Sequence, residues 1–291
     1  MVTILLSGGL GNQMFQYAAA KALAKRLDTH LFFDLYNLTK KTKTTTRSYE
    51  LDIFNIDVSC KSTIKGKILI KGRPFIQKHR VAFQHLGFLT DTYALLYESV
   101  FRSIKGNITM SGYFQSERYF ENIKAEIQND FEFKIQLDDK NKDIADQIIN
   151  TQSVAIHIRR GDYITDKNAN QNFTVCNAEY YRKAISYIKE KIPQPSFYIF
   201  SEDMEWAKNN IDLGNHPSSY INWNKGKDSY RDMQLMSLCK HNVIANSSFS
   251  WWAAWLNKNI EKIVVAPSIW FKDEDKNKLL DDFYPSGWTK I

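Results

Sequence analysis

The sequence predicts an α/β protein built as two Rossmann-like domains facing across a cleft. Three observations carry that prediction. The chain opens as strand, glycine turn, helix and strand; strand–helix alternation returns in the second half; and a polar, charged stretch over 134–152 lies between the two. At 291 residues there is room for two separate cores.

In the first half, Val2–Leu6 is a short apolar run of the kind used for a buried parallel strand. Ser7-Gly8-Gly9-Leu10-Gly11 reads as the turn. Phe15, Ala18, Ala19, Ala22, Leu23 and Leu27 then recur at helical spacing, and Leu31-Phe32-Phe33 forms a second strand that ends at Asp34. Such a unit implies a parallel sheet with a right-handed crossover. Residues 40–110 contain a Thr/Lys-rich loop (Lys40 to Thr46) and apolar runs that fit neither period. Gly112-Tyr113-Phe114-Gln115-Ser116 reads as a strand end leading into a helix.

The second half is more regular. Strands are expected at Val154–Ile158, Phe197–Phe200, Val243–Ala245 and, as the last one, Ile263–Ala266. Helices are expected at Ala178–Ile192, Met204–Asn210 and Phe249–Leu256. The domains are then 1–140 and 141–291, with the last helix free to return to the N-terminal domain.

Composition is that of a globular protein, 43% hydrophobic and 24% charged. The net charge of +7 is unevenly spread. From Val58 to Thr90 there is no acidic residue, while Lys61, Lys65, Lys67, Lys71, Arg73, Lys78 and Arg80 all fall there. That block suits an anionic partner such as nucleic acid, phospholipid headgroups or a polyphosphate; a solvated basic face without a dedicated ligand is the competing reading. Cys60, Cys176 and Cys239 are widely spaced, show no metal-ligand pattern and suggest a reducing compartment. The N-terminus lacks a basic leader, and no apolar run reaches the roughly 18 residues of a membrane span. The expected location is cytoplasmic, at most peripheral on the inner face of the cell membrane.

Four motifs sit at strand ends, where open α/β sheets bind ligands. His157-Ile158-Arg159-Arg160-Gly161-Asp162-Tyr163 delivers two adjacent arginines, whose guanidinium groups suit bidentate capture of a diphosphate. Surface ion pairing is the alternative. Gly8-Gly9-Leu10-Gly11-Asn12-Gln13 lets the backbone approach a ligand, with Asn12 and Gln13 as polar groups suited to hydroxyl-rich molecules. With Asp34 closing the second strand, this segment also resembles a dinucleotide-binding unit, although Met14 stands where the third glycine belongs. Asn246-Ser247-Ser248-Phe249-Ser250-Trp251-Trp252 offers Ser247 or Ser248 as a helix cap beside free N–H groups; equally, its tryptophans fill a core. Ser201-Glu202-Asp203 has three open roles: orienting the arginines, holding a ribose hydroxyl, or starting a helix. The acidic pairs Asp138-Asp139 and Asp281-Asp282 are contiguous rather than spaced as Asp-x-Asp, so no metal or other cofactor is expected.

Taken together, the three longer motifs resemble the bacterial α-1,2-fucosyltransferases of glycosyltransferase family 11, over nearly the whole chain. The His-x-Arg-Arg element is shared more widely among fucosyltransferases, so it speaks for GDP-fucose more than for the linkage. The resemblance implies a GT-B-like architecture with the donor in the C-terminal domain and the acceptor against the N-terminal one. It implies that Arg159 and Arg160 hold the diphosphate and that Ser247 and Ser248 cap its phosphates; His157, Phe249, Gly9 and Gly11 are further candidates for binding the donor. Asp232 matches an aspartate that pairs with guanine, and Asn12 an asparagine near the reaction centre. Glu202 departs from the usual aspartate, which leaves the role of its segment open.

The expected reaction is an inverting transfer of L-fucose from GDP-fucose to the 2-hydroxyl of a β-galactoside in a bacterial surface glycan. Arg159 and Arg160 would stabilise the departing diphosphate, with Asp162, or Asn12 through water, as proton acceptor. The partners expected are GDP-fucose, a galactose-containing oligosaccharide or lipid-linked glycan, and an anionic membrane surface, without nucleic acid. Alternatives are another fucosyl linkage, a nucleotide-cofactor oxidoreductase built on the glycine turn, and a nucleic-acid-binding protein using the basic stretch.

Overall fold

Strands β1 (Val2–Leu5), β2 (Leu31–Asp34), β3 (Ser59–Lys61), β4 (Phe88–Thr90) and β5 (Ile108–Ser111) pair in parallel in the order β3-β2-β1-β5-β4. The computed structural model describes residues 1–38, 47–161 and 167–291, the side chains at 167–169 excepted. Two compact units emerge: Met1–Lys134 with Leu279–Pro285, and Ile135–Lys278 with Ser286–Ile291. β1 is buried at every position, and Thr3 is its one polar residue. α1 (Leu10–Arg26) follows it and is buried on almost all sides, so alanines dominate where it crosses the sheet.

The stretch over 40–110 that matched neither period contains α2 (Ile64–Lys78), α3 (Arg80–His85) and strands β3, β4 and β5. β3 and β4 are three residues each, too short for alternation to register. α4 (Lys124–Asp130) and a short helical turn at Leu280–Phe283 complete this unit; Phe283 packs on Phe15 with ring centroids 6.0 Å apart.

In the second unit, β6 (Ser153–Ile158), β7 (Ser196–Ser201), β8 (Ser218–Ile221), β9 (His241–Val243), β10 (Val264–Ala266) and β11 (Thr289–Lys290) form a parallel sheet in the order β11-β10-β9-β6-β7-β8. Its helices include α5 (Asp139–Ile149), α6 (Lys167–Asn172), α7 (Ala178–Lys191), α8 (Met204–Asn210), α9 (Tyr230–Leu238) and α10 (Ser248–Leu256). These are the two Rossmann-like α/β units of a GT-B-like protein.

Three expectations needed correction. The polar stretch over 134–152 is largely α5, capped by Asp138 and burying Asn141, Ala145 and Ile148 on one face. The strand expected at Val243–Ala245 ends its ladder at Val243. β10 is also not the last strand, because the two-residue β11 adds to its edge.

Each sheet has a reversal in strand order. From β6 the chain builds outward through β7 and β8, then returns to the other side with β9, β10 and β11. β1 occupies the same position in the first sheet, between β2 and β5. Neighbouring crossovers there leave on opposite faces, opening a crevice at the strands' carboxyl ends.

The first unit packs tightly. Asp34 is fully buried, its carboxylate accepting from Thr63 N (3.1 Å), the Thr63 hydroxyl and Tyr36 N (2.9 Å). A Cβ on Gly66 of α2 would overlap that carboxylate and approach Leu5 Cδ1 within 2.7 Å. Gly→Ala gains about 1 kcal/mol of helix propensity, whereas overpacking costs about 1–3 kcal/mol. Gly66→Ala should therefore be net destabilising, lowering the urea midpoint; an unchanged or raised midpoint would show that α2 can lift away freely.

Candidate active site

The reversal point of the second sheet lies at the carboxyl ends of β6 and β9, paired with Ile156 opposite Val243. β6 continues into Arg159, Arg160 and Gly161, and β7, in register with Ile158 opposite Ser201, continues into Glu202 and Asp203. The two strand ends thus set two cations beside two anions. Arg159 Nη1 lies 2.9 Å from Glu202 Oε1, and Arg160 Nε lies 3.1 Å from Asp203 Oδ2.

The two pairs differ. Glu202 is 61% exposed at its side chain, so its bond to Arg159 is screened and readily exchanged for another anion. Asp203 is more constrained: its Oδ1 accepts from Trp206 N (3.0 Å) as the cap of α8, and its own N–H donates to Ser201 Oγ (2.9 Å). The Arg160 guanidinium also lies 4.2 Å from the centre of the Trp206 ring. One acid and one ring therefore aim Arg160, while the bond to Asp203 engages only Nε. Of the three roles open for Ser201-Glu202-Asp203, orienting the arginines and starting α8 are both observed. A Cβ on Gly161 would meet only the far end of the exposed Glu202 side chain, which can move aside.

β9 leads to α10, whose cap is Ser247: its Oγ accepts from Phe249 N at 3.3 Å. Ser248 is the first helical residue and, like Phe249, half-buried. Trp251 and Trp252 are fully buried with ring centroids 5.0 Å apart, so the capping and core readings of this motif are both met. Asn246 is fully buried too, donating to the carbonyls of Trp270 (3.3 Å) and Thr174. No acidic residue occupies the first turn of α10, leaving its N-terminal dipole suited to an anion.

His157 on β6 packs against Phe249, ring centroids 5.8 Å apart. Burial, aided by the Arg159 charge, pushes its pKa down to about 3, so the imidazole is neutral. Its Nδ1 is buried without a hydrogen-bond partner among the described residues.

Asp232 on α9 accepts from Asn224 Nδ2 at 2.8 Å. Asn224 in turn exchanges two 2.9 Å hydrogen bonds with Asn141, which also receives Trp223 Nε1 at 3.1 Å. Burial raises the Asp232 pKa from 3.8 to about 7; the Asn224 bond opposes the rise and the Glu202 carboxylate adds to it. Near neutrality this carboxyl group sits between its two protonation states and would take up donors from a ligand as an anion.

The glycine turn of the first unit serves a different purpose. Gly8 has φ +75, and a Cβ there would overlap the Asn12 amide, so glycine is required at this position. Gly9 is the N-cap residue of α1, and Gly11 is buried in its first turn. The Leu10 N–H donates to Glu50 Oε2 at 2.9 Å, so a protein carboxylate already stands at this helix N-terminus. Burial raises the Glu50 pKa, opposed by the Leu10 bond and the Arg47 charge. Together with the complete burial of Asp34, this overturns the dinucleotide reading: the pyrophosphate position holds Glu50, and the ribose-binding acid is committed to Thr63 and Tyr36.

Gln13, expected to meet ligands, is likewise committed. It is fully buried, donating to the carbonyls of Gly8 (2.9 Å) and Ser48 (2.8 Å) and accepting from Glu50 N (3.0 Å). Asn12 accepts from Gln115 Nε2 at 2.8 Å through Oδ1. Gln115 follows Phe114, whose φ of +50 is strained for a bulky residue. Buried Asp91 holds that turn, accepting from Tyr113 N (2.7 Å) and Phe114 N (3.4 Å).

Asp162 lies outside the described residues. Both acidic pairs have structural duties: Asp138 caps α5, accepting from Asn141 N at 3.0 Å, and Asp282 pairs with Arg118. Among the described residues no group of three or more His, Cys, Asp or Glu side chains is placed to hold a metal ion, and no helix is long and apolar enough to cross a membrane. Asn224, Asn141, Trp206 and Gln115 were not expected from sequence.

The raised Asp232 pKa has a definite sign. Between about pH 4 and 7 the folded chain keeps a proton that the unfolded chain has lost. This group's contribution therefore weakens stability as pH rises through that window and is constant above it. Urea midpoints of Asp232→Asn should gain on those of the original chain from pH 4 to 7; a gap that does not change with pH would contradict the assignment.

Comparison with known proteins identifies the family. The description "Glycosyl transferase family 11" matches residues 1–291. The chain is 35% identical to an alpha-1,2-colitosyltransferase of Escherichia coli over 297 residues, covering 100% of this chain and 99% of that protein. It is 36% identical to the O-antigen biosynthesis glycosyltransferase WbnK of Escherichia coli, covering 95% and 97% of the two chains. It is 24% identical to galactoside alpha-(1,2)-fucosyltransferase 1 of Homo sapiens over 156 residues, 51% of this chain and 43% of the human protein. Among solved structures, an Arabidopsis thaliana FUT1 mutant in complex with GDP shares the fold, with a TM-score of 0.52 at 12% identity over 91% of this chain and 70% of that one. A match from end to end, with relatives above one-third identity along their full lengths, fixes the conclusion: the chain belongs to glycosyl transferase family 11.

Proposed function

We propose that the protein transfers L-fucose from GDP-fucose to the 2-hydroxyl of a β-galactoside in a bacterial surface glycan, with inversion and without a metal ion. The observation that carries this reading is the arginine pair at the end of β6, across the sheet reversal from the serine-capped start of α10. Two guanidinium groups beside a helix start with no acidic residue in its first turn suit a diphosphate.

In the reaction proposed, an acceptor oxygen attacks the anomeric carbon of fucose. The bond from that carbon to the β-phosphate oxygen breaks, and its electron pair leaves with GDP. Arg159 exchanges Glu202 for the diphosphate, while Arg160 stays aimed by Asp203 and Trp206. Their charge matters most as negative charge grows on the leaving group. Asp162 is the carboxylate proposed to take the acceptor proton. Asn12, with its oxygen engaged by Gln115, suits donation to an acceptor-sugar oxygen better than proton removal. Asp232, as an anion, would accept the N–H groups of guanine, which predicts that its proton departs as GDP binds near pH 7.

The Escherichia coli colitosyltransferase at 35% identity favours a second reading, in which the donor sugar is colitose, fucose without its 3-hydroxyl. The fold and the diphosphate site serve both donors. The acceptor in either case is a galactose-containing oligosaccharide or lipid-linked glycan.

The test is GDP release from GDP-fucose and from GDP-colitose, with and without lactose or N-acetyllactosamine, in EDTA. Lactose-dependent release from GDP-fucose that survives EDTA and falls about 10²–10³-fold in Arg160→Ala supports the main reading. Preference for GDP-colitose transfers the conclusion to the second. Release that needs a divalent ion, or is unchanged in Arg160→Ala, contradicts the arginine mechanism.

A further inference from the structure

α2 is apolar on two faces, and only one of them is covered. Leu69 and Ile76 are buried against Leu5. On the other side, Ile64, Ile68 and Phe75 fall within about 40° of one another at roughly 100° per residue. These three are 80%, 47% and 62% exposed. Val81 and Leu86, on and just after α3, extend the exposed apolar surface at 67% and 65%. Single exposed apolar residues are ordinary, but a stripe along a helix is a recognition surface.

The charge beside the stripe identifies what it fits. Of the basic residues in this acid-free segment, Arg73 and Arg80 are paired with Asp91 and Glu98, and Lys61 lies over the Phe32 ring at 3.7 Å. Lys67, Lys71 and Lys78 are exposed, flank the stripe on one side, and have no acidic partner among the described residues. A surface with an aliphatic and aromatic ridge bordered by lysines matches an anionic bilayer, whose interface offers acyl chains below and phosphates above. Nucleic acid would gain little from burying Ile64 and Ile68. A second copy related by two-fold symmetry would set this cationic border against itself.

We propose that α2 and α3 form an interfacial docking element for an anionic lipid bilayer. Ile64, Ile68 and Phe75 enter the acyl boundary while Lys67, Lys71 and Lys78 meet the headgroups. The element lies along the surface, since no described helix is long and apolar enough to cross. This inference is independent of which sugar is transferred.

The experiment is co-flotation of the full chain with phosphatidylcholine vesicles, with and without about one-third phosphatidylglycerol, at low and physiological salt. Binding is expected to the anionic vesicles and at least about tenfold weaker to phosphatidylcholine alone. Combining Lys67→Gln, Lys71→Gln and Lys78→Gln should weaken binding about 100-fold, roughly fivefold per lysine. Ile68→Ser with Phe75→Ser should weaken it about tenfold or more. Circular dichroism and GDP affinity, which depend on neither set, report whether each variant is folded. Failure of the original chain to bind anionic vesicles would overturn the proposal, as would binding insensitive to the lysines. Loss in the lysine variant alone would exclude insertion by the apolar stripe. A dimer of the original chain that the Ile68→Ser, Phe75→Ser variant makes monomeric would assign the stripe to a second copy instead.

Discussion

Two arginines placed side by side at the end of one strand repel each other, and the second unit is arranged around relieving that repulsion. The parallel register of β6 and β7 brings Glu202 and Asp203 to the same height as Arg159 and Arg160. Asp203 is fixed further by capping α8, which also brings Trp206 under the Arg160 guanidinium. Glu202 is exposed, so its pairing can be given up to a stronger anion. The result is one arginine held in place and one able to change partners, next to a helix start without an acid of its own.

A reversal of strand order in the first unit gives a different outcome because of one carboxylate. Both sheets reverse at a central strand, β1 in one and β6 in the other; α1 follows β1, and α10 follows β9. At α1 the N-terminal charge is met from within by Glu50. At α10 the first turn carries no acid, and the Ser247 hydroxyl caps it. A glycine-rich turn therefore says little about phosphate binding until the occupant of the helix N-terminus is known. The first unit instead spends its polar groups on fixing Asn12: Asp91 holds the strained turn at Phe114, and that turn delivers Gln115 to the Asn12 amide.

What was legible in the sequence is contiguous. The arginine motif, the serine cap and the Met204–Asn210 helix each occupy a few consecutive residues with chemistry that local rules describe. Asn12 and Gln115 are far apart in the chain, as are Asn141 and Asn224, and nothing in either neighbourhood signals its partner. Gln13 differs from its expected role because a polar residue near a glycine turn is as well suited to bonding backbone carbonyls as to meeting a ligand. α2 is hard to read from sequence because apolar residues on two faces, one of them bordered by lysines, blur the single stripe that marks an amphipathic helix. The stretch over 134–152 reads as merely polar because α5 buries only a narrow face.

If the arginine pair serves a diphosphate, the β-phosphate must contribute to nucleotide binding through it. The direct measurement is calorimetric affinity for GDP and for GMP, in the original chain and in Arg160→Ala. GDP should bind at least about tenfold more tightly than GMP to the original chain, about 1.4 kcal/mol or more, and that ratio should approach one in Arg160→Ala with GMP affinity nearly unchanged. A GDP preference retained in full by Arg160→Ala would place the diphosphate elsewhere and contradict the site.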